Sequence, residues 1–343
     1  MITRFLIARA LAVIVAAIAI TTTAIAQTPA EFYKGKTVTL VSGTAGSGTY
    51  DLVGRVVARH LPHYLAGAPN AVVQSMPGAS HVRATEYVEN AAVRDGTVLG
   101  VVQPYVVLNK LLNPGARYHP ERLTWIGRLL PLTQIGFAWR NAGVTRIEEV
   151  KSKAITLAAA GATGPAATVP WALNRMIGTK FRVVRGYADD SAEFLALERD
   201  ETEGMGSCNF ASIVNHPDWL RDNKVFPLYV IGLHRMARYP DVPTIVELVS
   251  EPTDRAVIEV LATMPELGMT IMAPPDVPAD RVEALRGALA AMSRDPAFIA
   301  DMKTLELDVD PLPGAAVADM VGKSIAVSPA VVRRLIDTTS PPD

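Results

Sequence analysis

Two periods of apolar and polar positions run along this chain. Thr37 to Val41 is a short apolar run bounded by Gly35 and Gly43; Leu52, Val53, Val56, Val57 and Leu61 follow at helical spacing. An apolar run between glycines reads as a buried strand, and apolar positions three and four apart read as one face of a helix. The pattern predicts a strand, a loop of small residues over 42–51, and a helix over 52–61. Val72–Gln74 and Val98–Val102 are two further strands, with a helix over His81–Asn90 between them. The same unit returns mid-chain as strand Ile155–Ala159, Gly-rich loop 160–165, helix 166–177 and strand Arg182–Arg185. Later segments predict strand Leu228–Leu233, a helix over 242–248, strand Met269–Met272, and helices over 280–292 and 296–303. The tail from Thr338 is polar and proline-rich and is expected to fray. Such alternation implies an α/β fold of parallel sheets covered by helices on both faces.

The N-terminus carries a different signal. Arg4 and Arg9 precede an uncharged apolar run from Ala10 to Ile20, and Ala24-Ile25-Ala26 is a small-x-small cleavage sequence. This is the layout of a secretory signal peptide spanning 1–26, so the protein is expected in the periplasm. The apolar run is well short of the ~20 residues a membrane-spanning helix needs. The remainder of the 343-residue chain is longer than one core usually serves, so two lobes are expected. Net charge is −1, with Lys and Arg dispersed, which leaves no electrostatic footprint for nucleic acid. Cys208 is the single cysteine, so no internal disulfide can form. It reads either as a small buried side chain or as a nucleophile.

The loop Gly43–Asp51 is the most informative stretch. Glycines let backbone approach a ligand closely, and the start of the following helix favours an anion through unpaired N–H groups and the helix dipole. Thr44, Ala45, Gly46, Ser47, Gly48 and Thr49 are therefore candidate ligand contacts, with Asp51 as an N-cap or first-turn acid. A second loop, Ala160, Gly161, Ala162, Thr163 and Gly164, repeats this arrangement ahead of Pro165. A third, Pro77, Gly78, Ala79 and Ser80, sits at another strand end. Ligands of open sheets bind beyond the carboxyl ends of strands, where all three loops lie. Arg55 and Arg83 are candidates for a second carboxylate, or alternatively surface charges.

Catalytic and cofactor patterns are absent or incomplete. The first loop lacks the Gly-Lys-Ser/Thr of a Walker A sequence and the third glycine of the dinucleotide fingerprint, so no cofactor is expected. His60, His63, His81, His119, His216 and His234 form no HExxH, and no Cys/His cluster suggests a metal. Gly46-Ser47-Gly48 falls short of a nucleophile elbow. Asp189-Asp190, Glu201 and Glu203 read as solvated acids, and Trp125, Trp139, Trp171 and Trp219 as core.

Several strings resemble the Bug family, the TctC-like receptors of tripartite tricarboxylate transporters. They are Phe32-Tyr-Lys-Gly-Lys-Thr-Val38; the Gly-rich loop ending Tyr50-Asp51 with Arg55 one turn on; Val73-Gln-Ser-Met-Pro-Gly-Ala79; Asp95-Gly96-Thr97; and Trp125-Ile-Gly127. Gly186-Tyr187, Asp241-Val-Pro-Thr244, Ala273-Pro-Pro-Asp-Val-Pro278 and Asp295-Pro296 continue the order. The resemblance implies a two-lobed periplasmic binding protein of the type II, Venus-flytrap class, each lobe a sheet flanked by helices. Its lobes are expected at 27–133 plus 269–343 and at 134–268, crossing near Gln134–Trp139 and Met269–Met272. It implies a monomer, not an enzyme, that captures a small carboxylate by lobe closure and hands it to integral membrane permease subunits. A ligand-presenting sensory module, or a hydrolase or lyase on a similar fold, are the alternatives. One departure stands out. Where the family loop commonly has a proline and three glycines, this chain has Ala45-Gly46-Ser47-Gly48-Thr49.

Overall fold

The computed structural model describes residues 27–44, 49–78, 81–113, 115–187 and 190–342. The expected signal peptide lies outside these residues. The first half runs α1 (Pro29–Tyr33), β1 (Thr37–Ser42), α2 (Thr49–His60), β2 (Asn70–Ser75), α3 (Val82–Asn90), β3 (Val98–Val102), α4 (Tyr105–Leu112) and β4 (Thr124–Leu130). The middle comprises β5 (Gln134–Trp139), β6 (Ile155–Ala159), α5 (Pro165–Ile177), β7 (Phe181–Arg185), α6 (Asp190–Glu198), β8 (Gly204–Asn209), α7 (Phe210–Val214), α8 (Pro217–Arg221) and β9 (Val225–Ile231). The chain closes with α9 (Pro252–Leu267), β10 (Met269–Ala273), α10 (Ala279–Met292), α11 (Pro296–Lys303), β11 (Leu312–Pro313), α12 (Gly314–Ile325) and α13 (Pro329–Thr339).

Local chemistry sets many helix starts. Proline occupies the first turn of α1, α5, α8, α9, α11 and α13, where its missing N–H has no intrahelical partner to lose. Thr28 closes a capping box with Glu31, and Asp295 accepts the N–H groups of Ala297 at 2.6 Å and Phe298 at 3.4 Å.

Two sheets result, and they share one plan. The first has the order β2-β1-β3-β10-β4-β11 and the second β7-β6-β8-β5-β9. In each, the first strand of the unit pairs in parallel with the second and third, and a strand arriving from the other half inserts antiparallel beside the third. The sheets are therefore mixed, not parallel as the alternation alone implied. β5 enters the second sheet from the first half and β10 returns to the first, and each breaks the parallel run. The chain changes sheet between Leu130 and Gln134.

Two further expectations change. Residues 242–248 form turns, because Thr244 bridges in parallel to Val230: the Val230 N–H donates to Pro243 O and the Ile245 N–H to Val230 O, both at 2.9 Å. The Glu247 carboxylate locks that turn by accepting the Thr244 N–H at 2.7 Å and Arg235 Nε at 3.0 Å. The C-terminus does not fray at Thr338. Thr338 and Thr339 are buried, Arg175 Nη1 donates to Thr338 O at 2.8 Å, and Arg334 pairs with Asp254 at 2.6 and 3.1 Å. These contacts seat α13 on α5 and α9.

Candidate functional site

The carboxyl ends of β1, β2 and β3 lie side by side, because β1 pairs in parallel with both neighbours. Ser42, the last residue of β1, starts the clasp of the first loop. Its hydroxyl shares a hydrogen bond with Thr44 Oγ1 at 3.1 Å and accepts the Thr44 N–H at 3.3 Å. The Asp51 N–H donates to Thr44 Oγ1 at 3.2 Å, tying the start of α2 to the end of β1. Asp51 is fully buried; it accepts the Ser75 hydroxyl from the end of β2 and Arg55 Nε at 2.8 Å. Asp51 and Arg55 thus brace the loop. Thr49, Pro77 and Gly78 are exposed. Ala45, Gly46, Ser47, Gly48, Ala79 and Ser80 lie outside the described residues.

His81 occupies the centre of this edge. Its ring fills the space where any side chain at Gly43 would stand: a Cβ there would come 2.1 Å from His81 Nδ1. Nδ1 accepts the Gln103 N–H at 3.3 Å, and the Tyr50 ring meets the imidazole edge-to-face with centroids 4.7 Å apart. Burial pulls the His81 pKa down from 6.5 to about 4, so the ring is neutral near pH 7. With Nδ1 accepting, the proton of a neutral ring sits on Nε2.

The second sheet presents a matching edge. After β6, Ala160, Gly161 and Thr163 are exposed while Ala162 and Gly164 are half-buried. Nothing lies within 4 Å of the position a Cβ would take at Gly161 or Gly164. Gly164 caps α5 through its carbonyl, which accepts the N–H groups of Ala167 at 3.1 Å and Thr168 at 3.0 Å. The N–H groups of Thr163, Gly164 and Ala166 find no acceptor among the described residues. Gly206 on β8 brings this turn close. A Cβ there would meet Ala166 O at 2.2 Å and Pro170 Cγ at 2.3 Å.

Side chains from both halves meet between the edges. Tyr105, just past β3, donates its hydroxyl to Gln134 Oε1 at 2.5 Å, and Ser207 of β8 donates to the same oxygen at 3.2 Å. Burial, and secondarily the Asp190 carboxylate at the start of α6, push the Tyr50 phenol well up. Cys208 is buried with its thiol pushed far up by burial, so it is a protonated core side chain and a poor nucleophile.

No family model matches the sequence, and no curated protein matches it at a significant level. Solved structures do match. A TctC solute-binding protein from Polaromonas, solved with no ligand, superposes with a TM-score of 0.66 at 16% identity, over 89% of this chain and 99% of that one. The periplasmic binding protein BugD gives 0.65 at 22% identity, over 88% and 97%. The MatC protein of Rhodopseudomonas palustris, with bound malate, gives 0.64 at 20% identity, over 89% and 99%. The chain has the periplasmic binding protein fold.

The sequence reading put three candidate loops at the carboxyl ends of these strands. His81, Tyr50, Tyr105, Gln134 and Ser207 escaped it, because each is a common residue type in an unremarkable local context. Only the position of His81, directly after Pro77–Ser80, hinted at a role. Arg83 lies beside Gly78 of the third loop and also lines an open groove of about 570 Å³ along α3, with Glu86, Tyr87, Asn90 and Arg117. Among the described residues no three His, Cys, Asp or Glu side chains gather as a metal would require.

Proposed function

We propose that this chain is an exported, periplasmic solute-binding protein of the tripartite tricarboxylate type, which captures a small carboxylate between two lobes and does no chemistry on it. The observation that carries the reading is the pairing of two sheet edges of one plan, the second ending in N–H donors without acceptors among the described residues. In the second lobe these are the N–H groups of Thr163, Gly164 and Ala166, where Pro165 starts α5 and the helix dipole favours an anion. In the first lobe the site is formed by the loop from Thr44 to Thr49, held by Asp51, and by Pro77 to Ser80. The malate bound in the MatC relative supports the carboxylate class. The proposed lobes are 27–133 plus 269–343 and 134–268, with α13 reaching across to pack on α5 and α9 of the latter, and closure between them shifts the population toward a form that integral membrane permease subunits read. The chain acts as a monomer, exported by residues 1–26.

A thermal-shift and calorimetric screen against mono-, di- and tricarboxylates tests this. A ligand at 100 times its Kd stabilises the folded state by about 2.7 kcal/mol. Gly161→Val adds a side chain in open space at the lip of the amide cradle. It should leave the fold intact and abolish binding. A flat screen across all three carboxylate classes would sink the proposal.

A further inference from the structure

Resting on the carboxylate-capture reading, we infer that His81 is a specificity-determining ligand contact: its neutral imidazole presents Nε2–H into the cleft as a donor to one oxygen of the bound carboxylate.

Three observations converge on it. First, the ring is fixed in place. It is 6% exposed, it stands where Gly43 leaves room for it, its Nδ1 is held by the Gln103 N–H, and the Tyr50 ring packs against it in a T-shaped pair. Second, the polarity of the ring is set by that same bond. Nδ1 is the acceptor, so Nε2 carries the proton. Nε2 has no hydrogen-bond partner among the described residues. The donor therefore stands without an acceptor among the described residues, on a ring that is 6% exposed, at the carboxyl ends of β1 and β3. Third, the backbone is held in a costly conformation to put the ring there. His81 has φ of +69° and ψ of 0°, a left-handed region that a residue other than glycine enters only at an energetic penalty. It makes no side-chain cap on α3, so helix capping does not explain the residue.

The chemical consequence is selectivity by a neutral donor. A charged imidazolium in this buried position would attract any anion. The neutral ring, whose pKa burial lowers to about 4, rewards an acceptor oxygen at one point instead. When closure excludes water, a donor left without an acceptor is penalised, and a carboxylate oxygen at that point satisfies it. A ligand lacking an oxygen at that point leaves Nε2 unpaired and is rejected.

Two substitutions separate the donor from the shape. His81→Asn places an amide at the level of Nδ1, suits the left-handed backbone, and lacks a donor at the Nε2 position. His81→Gln restores an N–H there. Calorimetry with malate, succinate and citrate on the wild-type protein should find a binder. His81→Asn should raise the Kd of that binder at least tenfold, and His81→Gln should recover most of the loss, with circular dichroism of both unchanged. In the wild-type protein, adding the binder should move the Nε2 nitrogen resonance and leave Nδ1 nearly still, a readout that needs no variant to fold. Wild-type affinity in His81→Asn, or a static Nε2 signal, would overturn the assignment while leaving carboxylate capture intact. Absence of binding by the wild type to all three acids would overturn both.

Discussion

Burying one neutral histidine makes the fold's stability depend on pH in a calculable way. The His81 pKa is about 4 in the folded protein against 6.5 when unperturbed. Between those values the unfolded chain binds a proton that the folded chain refuses. Stability therefore rises with pH across the window: the contribution is complete above about pH 6.5 and is lost as pH falls toward about pH 4. Integrated from neutral pH to about pH 4.5, those two values give a loss of about 2.5 kcal/mol. A fraction of the surroundings relaxing around the charged ring would reduce that figure but not its sign. Carboxylates elsewhere also titrate in this range, so the measurement must isolate the imidazole. Urea unfolding of the wild-type protein and of His81→Asn, repeated at half-unit steps, does so. The difference between the two curves should be constant above neutrality and should swing by about 2 kcal/mol toward the variant by about pH 4.5. Curves that stay parallel throughout would refute the burial argument, since a solvated ring titrates alike in both states.

Other expectations follow from close contacts. Gly206→Ala puts a methyl against the Ala166 carbonyl, 2.2 Å away, and should destabilise by about 1–3 kcal/mol by urea unfolding while weakening carboxylate binding through the displaced first turn of α5. Asp254→Asn removes a buried carboxylate that Arg334 contacts at 2.6 and 3.1 Å; a loss of about 1–2 kcal/mol and faster proteolysis of the C-terminal helix should result. Gly43→Ala drives a methyl into His81 Nδ1 and should lower the thermal midpoint, with relief in the double variant Gly43→Ala/His81→Gly; additive losses would show that the two positions do not share space.

How far the sequence revealed this architecture depended on which force set each element. β1, β3, β6 and β10 are runs of buried apolar residues, and their limits followed within a residue. The start of α11 was legible as Asp295-Pro296, because capping is local chemistry. β8 was invisible. Its sequence, Gly-Met-Gly-Ser-Cys-Asn, has no β-branched residue, and it packs as a strand because a Cβ at Gly204 or Gly206 would come within 2.3 Å of the Phe137 oxygen or 2.2 Å of the Ala166 oxygen, space that only glycine leaves free. Antiparallel β5 and β10 were equally beyond a local reading, because strand direction is fixed by where the chain crosses between sheets. The turn at 242–248 illustrates the converse. Its proline and helical spacing were real, but pairing with Val230 outweighed a weak propensity.

The candidate site divides along the same line. The loops could be read from composition, since backbone donors need glycine and small residues around them. What those loops do is partitioned by burial, which composition does not encode. Asp51, read as an N-cap or first-turn acid, does sit in the first turn of α2, and burial makes it the strut to which Ser75 and Arg55 attach. His81 looked like one of six scattered histidines. It differs from a histidine packed for stability in one respect: one ring nitrogen is fixed by the backbone of β3's successor residue and the other is left open, while the main chain bears a left-handed turn that glycine would adopt freely. A purely structural role would favour glycine at 81 and a side chain at 43. The chain has the reverse, and the exchange places a polar ring, in a fixed tautomer, at the carboxyl ends of β1 and β3. Binding is the use that accounts for both the strain and the orientation.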